Sequence, residues 1–190
     1  PSALRLAAAV GAPLTVALGL ITITPDYLIH VLKVAPATIG VISTVGILSS
    51  VVAGLFAGFI LNLRVIGPIS VVAGALIGVT LEVLVFIPGV SVDVAIAAKV
   101  AQGFFSSFVV AWVFTSIPKM TRNGDVMGAG GIAEQALYIS MFLGPVLLYP
   151  LFALPTRVPF FVALIVSSLL PLFLLPLSFK RNESSPLVPA

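Results

Sequence analysis

Cysteine is absent from all 190 residues, which excludes disulfides and thiolate metal sites. Histidine occurs once, as His30, so a multi-histidine metal centre is excluded too. Charge is the third scarcity. Asp, Glu, Lys and Arg make up 8% of the chain, against about 25% in soluble domains. A net charge of +3, scattered along the chain, does not suit nucleic acid. It reads better as the loop bias that orients a membrane protein. Catalytic constellations are also missing. No His–acid pair accompanies a nucleophile, no Gly-rich loop leads into Lys-Ser or Lys-Thr, and no HExxH occurs. The chain is therefore read as no enzyme and as needing no cofactor.

What is abundant is apolar sequence. The hydrophobic share is 60% and the mean hydropathy +1.27. A membrane-spanning helix needs roughly 20 mostly apolar residues, within a range of about 17–25. Six stretches qualify: Leu6 to Pro25, Ile39 to Leu63, Val65 to Ile87, Val94 to Ile117, Gly128 to Leu154 and Val158 to Leu177. They are too long for barrel strands and do not alternate. Backbone groups in lipid must pair within their own segment, so helix is the remaining choice. The sequence thus predicts an all-α integral membrane protein with six transmembrane helices over residues 1–177. A polar tail is expected over 178–190.

Polar breaks separate the stretches. Asp26 to Pro36, Asn62 to Pro68, Pro88 to Asp93, Pro118 to Asp125 and Pro155 to Arg157 each carry turn formers or charge. Six spans place both ends on one side. That side holds Arg5, Arg64, Lys119, Arg122, Lys180 and Arg181. The other holds Lys33 and Arg157, with Lys99 slightly inside the membrane. The bias predicts both termini in the cytoplasm. The chain opens at Pro1 rather than at Met, which reads as processing, excision or truncation.

Small residues mark packing faces. Gly54 and Gly58, and Gly74 and Gly78, both have GxxxG spacing and are expected to pack helices tightly within the chain, with dimerisation the alternative reading. Pro13, Pro145, Pro150 and Pro171 lie inside spans and are expected to kink them.

Polar groups within the spans are the candidate working parts, because a charge in hydrocarbon needs a partner or a wet cavity. Glu134 leads a face that continues through Tyr138, Met141 and Pro145. It reads either as a proton-carrying or cation-binding carboxylate, or as a carboxylate paired with Lys119 or Arg122. Lys99, Gln102 and Ser106 form one stripe on the fourth span. Glu82 lies at a similar depth on the third, where an ion pair with Lys99 is one reading. A Lys99 that faces a cavity and attracts an anionic group is the other. Phe104, Phe105, Phe108, Trp112 and Phe114 crowd the fourth span. Most are expected to face lipid or neighbouring helices, with Trp112 the best pocket candidate.

These residues resemble the major facilitator superfamily. Lys99-x-x-Gln102-Gly103 is similar to the Arg-x-x-Gln-Gly pattern on the fourth helix of a six-helix half. Gly144-Pro145 is similar to the Gly-Pro motif on the fifth helix of many antiporters. The basic connection Pro118 to Gly124, and the approach Tyr27 to Gly40 to the second helix, also fit. The turn after the second helix is degenerate. Gly58, Asn62 and Arg64 are present, but its acid is missing, and Lys99 stands for the usual Arg.

The resemblance implies a 3+3 inverted repeat, one six-helix half of a twelve-helix transporter, and is closer to the C-terminal half. It implies a small-molecule substrate, a lipid bilayer and a second six-helix half as partners. It also implies that the first, second, fourth and fifth helices line the cavity. The expected function is secondary active transport of a small organic solute by alternating access, proton-coupled, as symporter or antiporter. Glu134, Gln102, Lys99, Tyr138 and Trp112 are then the substrate or proton residues. Gly103, Gly144, Pro145, Asn62 and Arg64 are the gating and structural residues. The rival expectations are a complete six-helix substrate-binding subunit of a multi-subunit importer, and a non-transporting membrane receptor or scaffold.

Overall fold

A computed structural model describes residues 2–63, 65–120 and 126–175. These residues form six helices: α1 (Ser2–His30), α2 (Pro36–Ile60), α3 (Ile66–Val85), α4 (Val92–Met120), α5 (Val126–Phe152) and α6 (Val158–Leu174). No strand occurs among the described residues. α1 to α5 are long and apolar enough to cross a membrane. α6 is apolar but shorter, at 17 residues. It ends at Leu174, and Leu175 is already extended. The expected continuation to Leu177 and the tail over 178–190 lie outside the described residues, as does Arg64.

The first helix runs further than its sequence suggests. Pro25 lies inside α1, which continues to His30. A proline forfeits one backbone bond but does not by itself end a helix packed against neighbours. The break falls instead at Val31–Ala35. There Lys33 takes a left-handed backbone, φ 58, and Val34 N–H closes on Leu28 O at 2.9 Å. The α3–α4 turn uses Gly89 for the same purpose, at φ 85.

Helix pairing is selective. α1 packs most extensively on α5, α4 on α3 and α2, and α6 on α1 and α3. α2 and α5 are the least covered helices, each with a broad open face of apolar side chains. The pairing scheme maps onto itself when α1, α2 and α3 are exchanged for α4, α5 and α6. Under that exchange α1·α5 becomes α4·α2, α1·α6 becomes α4·α3, and α3·α6 becomes itself.

Small residues let helices approach closely at two seams. A Cβ on Gly144 would lie 2.6 Å from Thr15 O and 2.7 Å from Gly19 N. Across the same α1–α5 seam, Ser140 Oγ donates to Gly11 O at 2.9 Å and Thr15 Oγ1 to Ser140 Oγ at 3.1 Å. On the other seam, a Cβ on Gly103 would lie 2.9 Å from Gly46 O of α2. The two GxxxG pairs part company. Gly74 and Gly78 press on Phe105 and Ser106 of α4, as expected. Gly54 and Gly58 do not pack within the chain, because their α-carbons point from the open face of α2 into space free of protein atoms.

Each end of the bundle has its own apolar cluster. At the end bearing the α1–α2, α3–α4 and α5–α6 turns, Tyr27, Phe86, Phe152 and Phe160 interlock, with ring centroids 5.2 Å apart for Tyr27–Phe86 and 5.3 Å for Phe86–Phe160. Arg157 caps them. Its guanidinium lies 4.7 Å from the Phe152 ring centre and 5.2 Å from that of Tyr27, and Nη1 donates to Phe86 O at 3.2 Å. At the opposite end, Leu6, Leu61, Ile117 and Leu175 join the main core around Trp112.

Candidate functional site

The polar centre of the bundle is a chain of four side chains drawn from three helices. Lys99 lies about two turns into α4, and Gln102 stands one turn further along the same face. Lys99 Nζ donates to Gln102 Oε1 at 3.3 Å. Gln102 Nε2 donates to Glu82 Oε1 of α3 at 3.3 Å. Ser168 of α6 donates through Oγ to the other oxygen, Glu82 Oε2, at 3.5 Å. The carboxamide fits in one orientation only. Its acceptor must face the ammonium and its donor the carboxylate, since the reverse would set donor against donor and acceptor against acceptor.

Lys99 and Glu82 therefore do not meet directly. No ion pair within 4.0 Å joins them among the described residues. Gln102 stands between the charges and passes the interaction from one to the other. Glu82 is 6% exposed, while Lys99, Gln102 and Ser168 are half-buried. α3 reaches this depth against α4 because Gly74 and Gly78 remove side-chain bulk from the seam just below Glu82.

Two hollows flank the chain, and Gln102 borders both. The smaller, about 120 Å³, lies among α1, α3, α4 and α6 and is bordered by Glu82, Ser106 and Ser168. That is room for a few waters, each taking about 30 Å³. The larger, about 560 Å³, lies among α1, α2 and α4. It falls within the size range of small-molecule sites, roughly 300–1,000 Å³. Its wall is mostly aliphatic, with Thr24, Ser43, Ser50, Lys99 and Gln102 as its polar members. Ser50 is occupied by Gly46 O at 3.0 Å. Thr24 Oγ1 is buried without a hydrogen-bond partner in the protein.

The other candidates sit elsewhere. Glu134 and Tyr138 lie on the open face of α5, joined to each other by Tyr138 Oη donating to Glu134 Oε1 at 3.2 Å. Tyr138 is 60% exposed in the chain by itself. Met141 shares that open face and Pro145 is half-buried beside it. The alternative pairing of Glu134 with Lys119 or Arg122 concerns side chains outside the described residues.

Trp112 is fully buried in the core and borders neither hollow. Its indole N–H and the Ser116 hydroxyl one turn on have no protein partner. Phe114 is the member of the aromatic run that borders the smaller hollow. Gly103 and Gly144 are the close-contact points of the two seams, with Pro145 next to one of them. Asn62 closes α2, its Nδ2 donating to Gly58 O at 2.7 Å.

Sequence reasoning placed Lys99 and Gln102 together and offered Glu82 as an ion partner of Lys99, but left it out of the site because the family resemblance turned the third helix outward. Ser168 and Thr24 carried no sequence signal, since Ser and Thr in apolar helices usually return to their own backbone. Compared with known proteins, the chain matches no family model and no curated sequence.

Proposed function

We propose that this chain is a six-helix half of a secondary transporter resembling the major facilitator type, moving a small organic solute by alternating access with proton coupling. The observation that carries this reading is the exchange symmetry of helix pairing. Three spans reverse direction, so a duplicated three-helix unit enters the membrane the second time upside down. Inverted repeats of this kind underlie many secondary transporters and let one site open to either side in turn.

Two further features agree. The open apolar faces of α2 and α5 offer surface for a second half. On α5 that surface carries Glu134 and Tyr138, where they would face a cavity between halves. Ionisable groups at membrane depth on α3, α4 and α5 supply sites for a coupling ion or a charged solute.

The native polypeptide tests this directly. Its intact mass is expected to reach about twice 19.6 kDa or more, or a second six-helix chain is expected to co-purify. In liposomes enclosing a pH dye, a transported solute should move protons, and Glu134→Gln should uncouple or abolish that movement. A mass near 19.6 kDa with no second chain, together with no flux of any solute tested, overturns the reading. Unchanged coupled uptake by the Gln variant removes Glu134 from it.

A further inference from the structure

We infer that the cleft among α1, α2 and α4 binds a compact organic monoanion with an apolar body, and that its binding loads one proton onto Glu82. This deepens the transport reading and names a solute class for it.

The wall of the cleft states the ligand chemistry. Leu20, Ile21, Ile42 and Ile47 offer aliphatic surface. One cation, Lys99, borders the cleft and no carboxylate does, among the described residues. An ammonium has three donors, and one of Lys99's goes to Gln102 at the long end of hydrogen-bonding distance. No second protein acceptor meets it among the described residues. A carboxylate seated against Lys99 would meet its remaining donors, with its apolar body against the aliphatic wall.

Charge balance links this site to Glu82. With the cleft empty, Lys99 and Glu82 offset each other through Gln102. An anion at Lys99 would leave the buried region with one negative charge too many. A carboxylate held away from water among apolar neighbours takes up a proton in that circumstance. The proton comes from the aqueous phase and ends on a Glu82 oxygen, and no other bond changes. Nothing else nearby competes for it. α6 has no titratable side chain over Val158–Leu174. α1 carries Arg5, Asp26, Tyr27 and His30 near its two ends. On α4, Asp93 and Lys119 are a turn or more beyond Lys99 and Gln102.

The test uses the native full-length polypeptide in lipid nanodiscs, with 2-naphthoate as probe and neutral 2-naphthamide as its match in shape. Calorimetry at pH 7 in buffers of different ionisation enthalpy reads affinity and proton uptake together. Naphthoate is expected to bind at least about tenfold more tightly than the amide, the factor a charge-assisted contact supplies. Lys99→Gln should erase that preference and Lys99→Arg should restore much of it. Proton uptake should be close to one per naphthoate, and Glu82→Gln should abolish it while naphthoate still binds.

Equal binding of amide and naphthoate, measured on the unaltered protein, overturns the anion site whatever the variants do. Anion binding with no proton uptake overturns the coupling. Naphthoate binding without flux of any solute upholds the site and sinks the transporter. Coupled flux of other solutes without naphthoate binding does the reverse.

Discussion

At the scale of single residues, the bundle depends most on atoms that are missing. Gly144 and Gly19 face each other so closely that neither leaves room for a methyl group. At Gly144 the obstacles are all backbone atoms, which cannot swing aside as a side chain can. Gly144→Ala must therefore spread α1 from α5, and overpacking of this kind costs about 1–3 kcal/mol. It is expected to lower the melting temperature of purified protein, whereas Gly130→Ala should not, since nothing lies near that position. Arg157 is the opposite case, a side chain whose contacts are all made by its flat face and one N–H. Arg157→Lys keeps the charge but not the stacking plane or the fork of donors. It should recover less than half of the loss caused by Arg157→Ala, which we expect to be about 1–2 kcal/mol from the cation–π and hydrogen-bond contributions together. Full recovery by Lys in thermal unfolding would mean that charge, not stacking, holds Arg157 in place.

At the scale of elements, the six helices were legible because apolar runs of this length leave lipid-embedded backbone one solution. Their ends were less so. Pro25 reads as a helix stop, yet tertiary packing carries α1 past it to His30. Lys33 gives no glycine-like signal, although the backbone there turns left-handed. Which face of a helix meets which neighbour was the least legible property, since uniformly apolar helices show no polar side to orient them. The two GxxxG pairs demonstrate this. The same spacing packs α3 on α4 but leaves the Gly54 face of α2 open. Gly74→Ala should therefore destabilise the purified chain by about 1–3 kcal/mol, because its Cβ would lie 2.8 Å from Phe105 O. Gly54→Ala should be neutral or stabilising by up to about 1 kcal/mol, as alanine holds a helix better than glycine. A matched loss at Gly54 would show that another surface covers α2 in the purified state.

At the scale of the whole molecule, the polar site itself was half legible. Lys99 and Gln102 share a helix and a stripe, so their meeting follows from spacing. Glu82 and Ser168 join them only through the packing of three helices, which the sequence does not encode locally. The same scale decides how α6 lies. At 17 residues it is about 26 Å long, against a hydrocarbon core of about 30 Å. Length by itself would allow it to lie partway in. Its two ends argue otherwise. Phe160 is locked into the aromatic cluster with Phe86 and Phe152, while Leu175 belongs to the core with Leu6, Leu61 and Ile117 at the opposite end of the bundle. The helix therefore reaches from one end cluster to the other alongside α1 and α3. Six crossings would return the chain to its starting side, and the basic residues expected at that end would make it cytoplasmic. The lack of cysteine in these 190 residues makes this simple to check, because a thiol introduced among them has no other beside it in the sequence. Ser184→Cys and Arg5→Cys should both resist a membrane-impermeant maleimide added to intact cells and react once the membrane is opened. Lys33→Cys should react in intact cells. Labelling of Ser184→Cys from outside, with Arg5→Cys still protected, would leave α6 short of a full crossing and break the exchange symmetry on which the transporter reading rests.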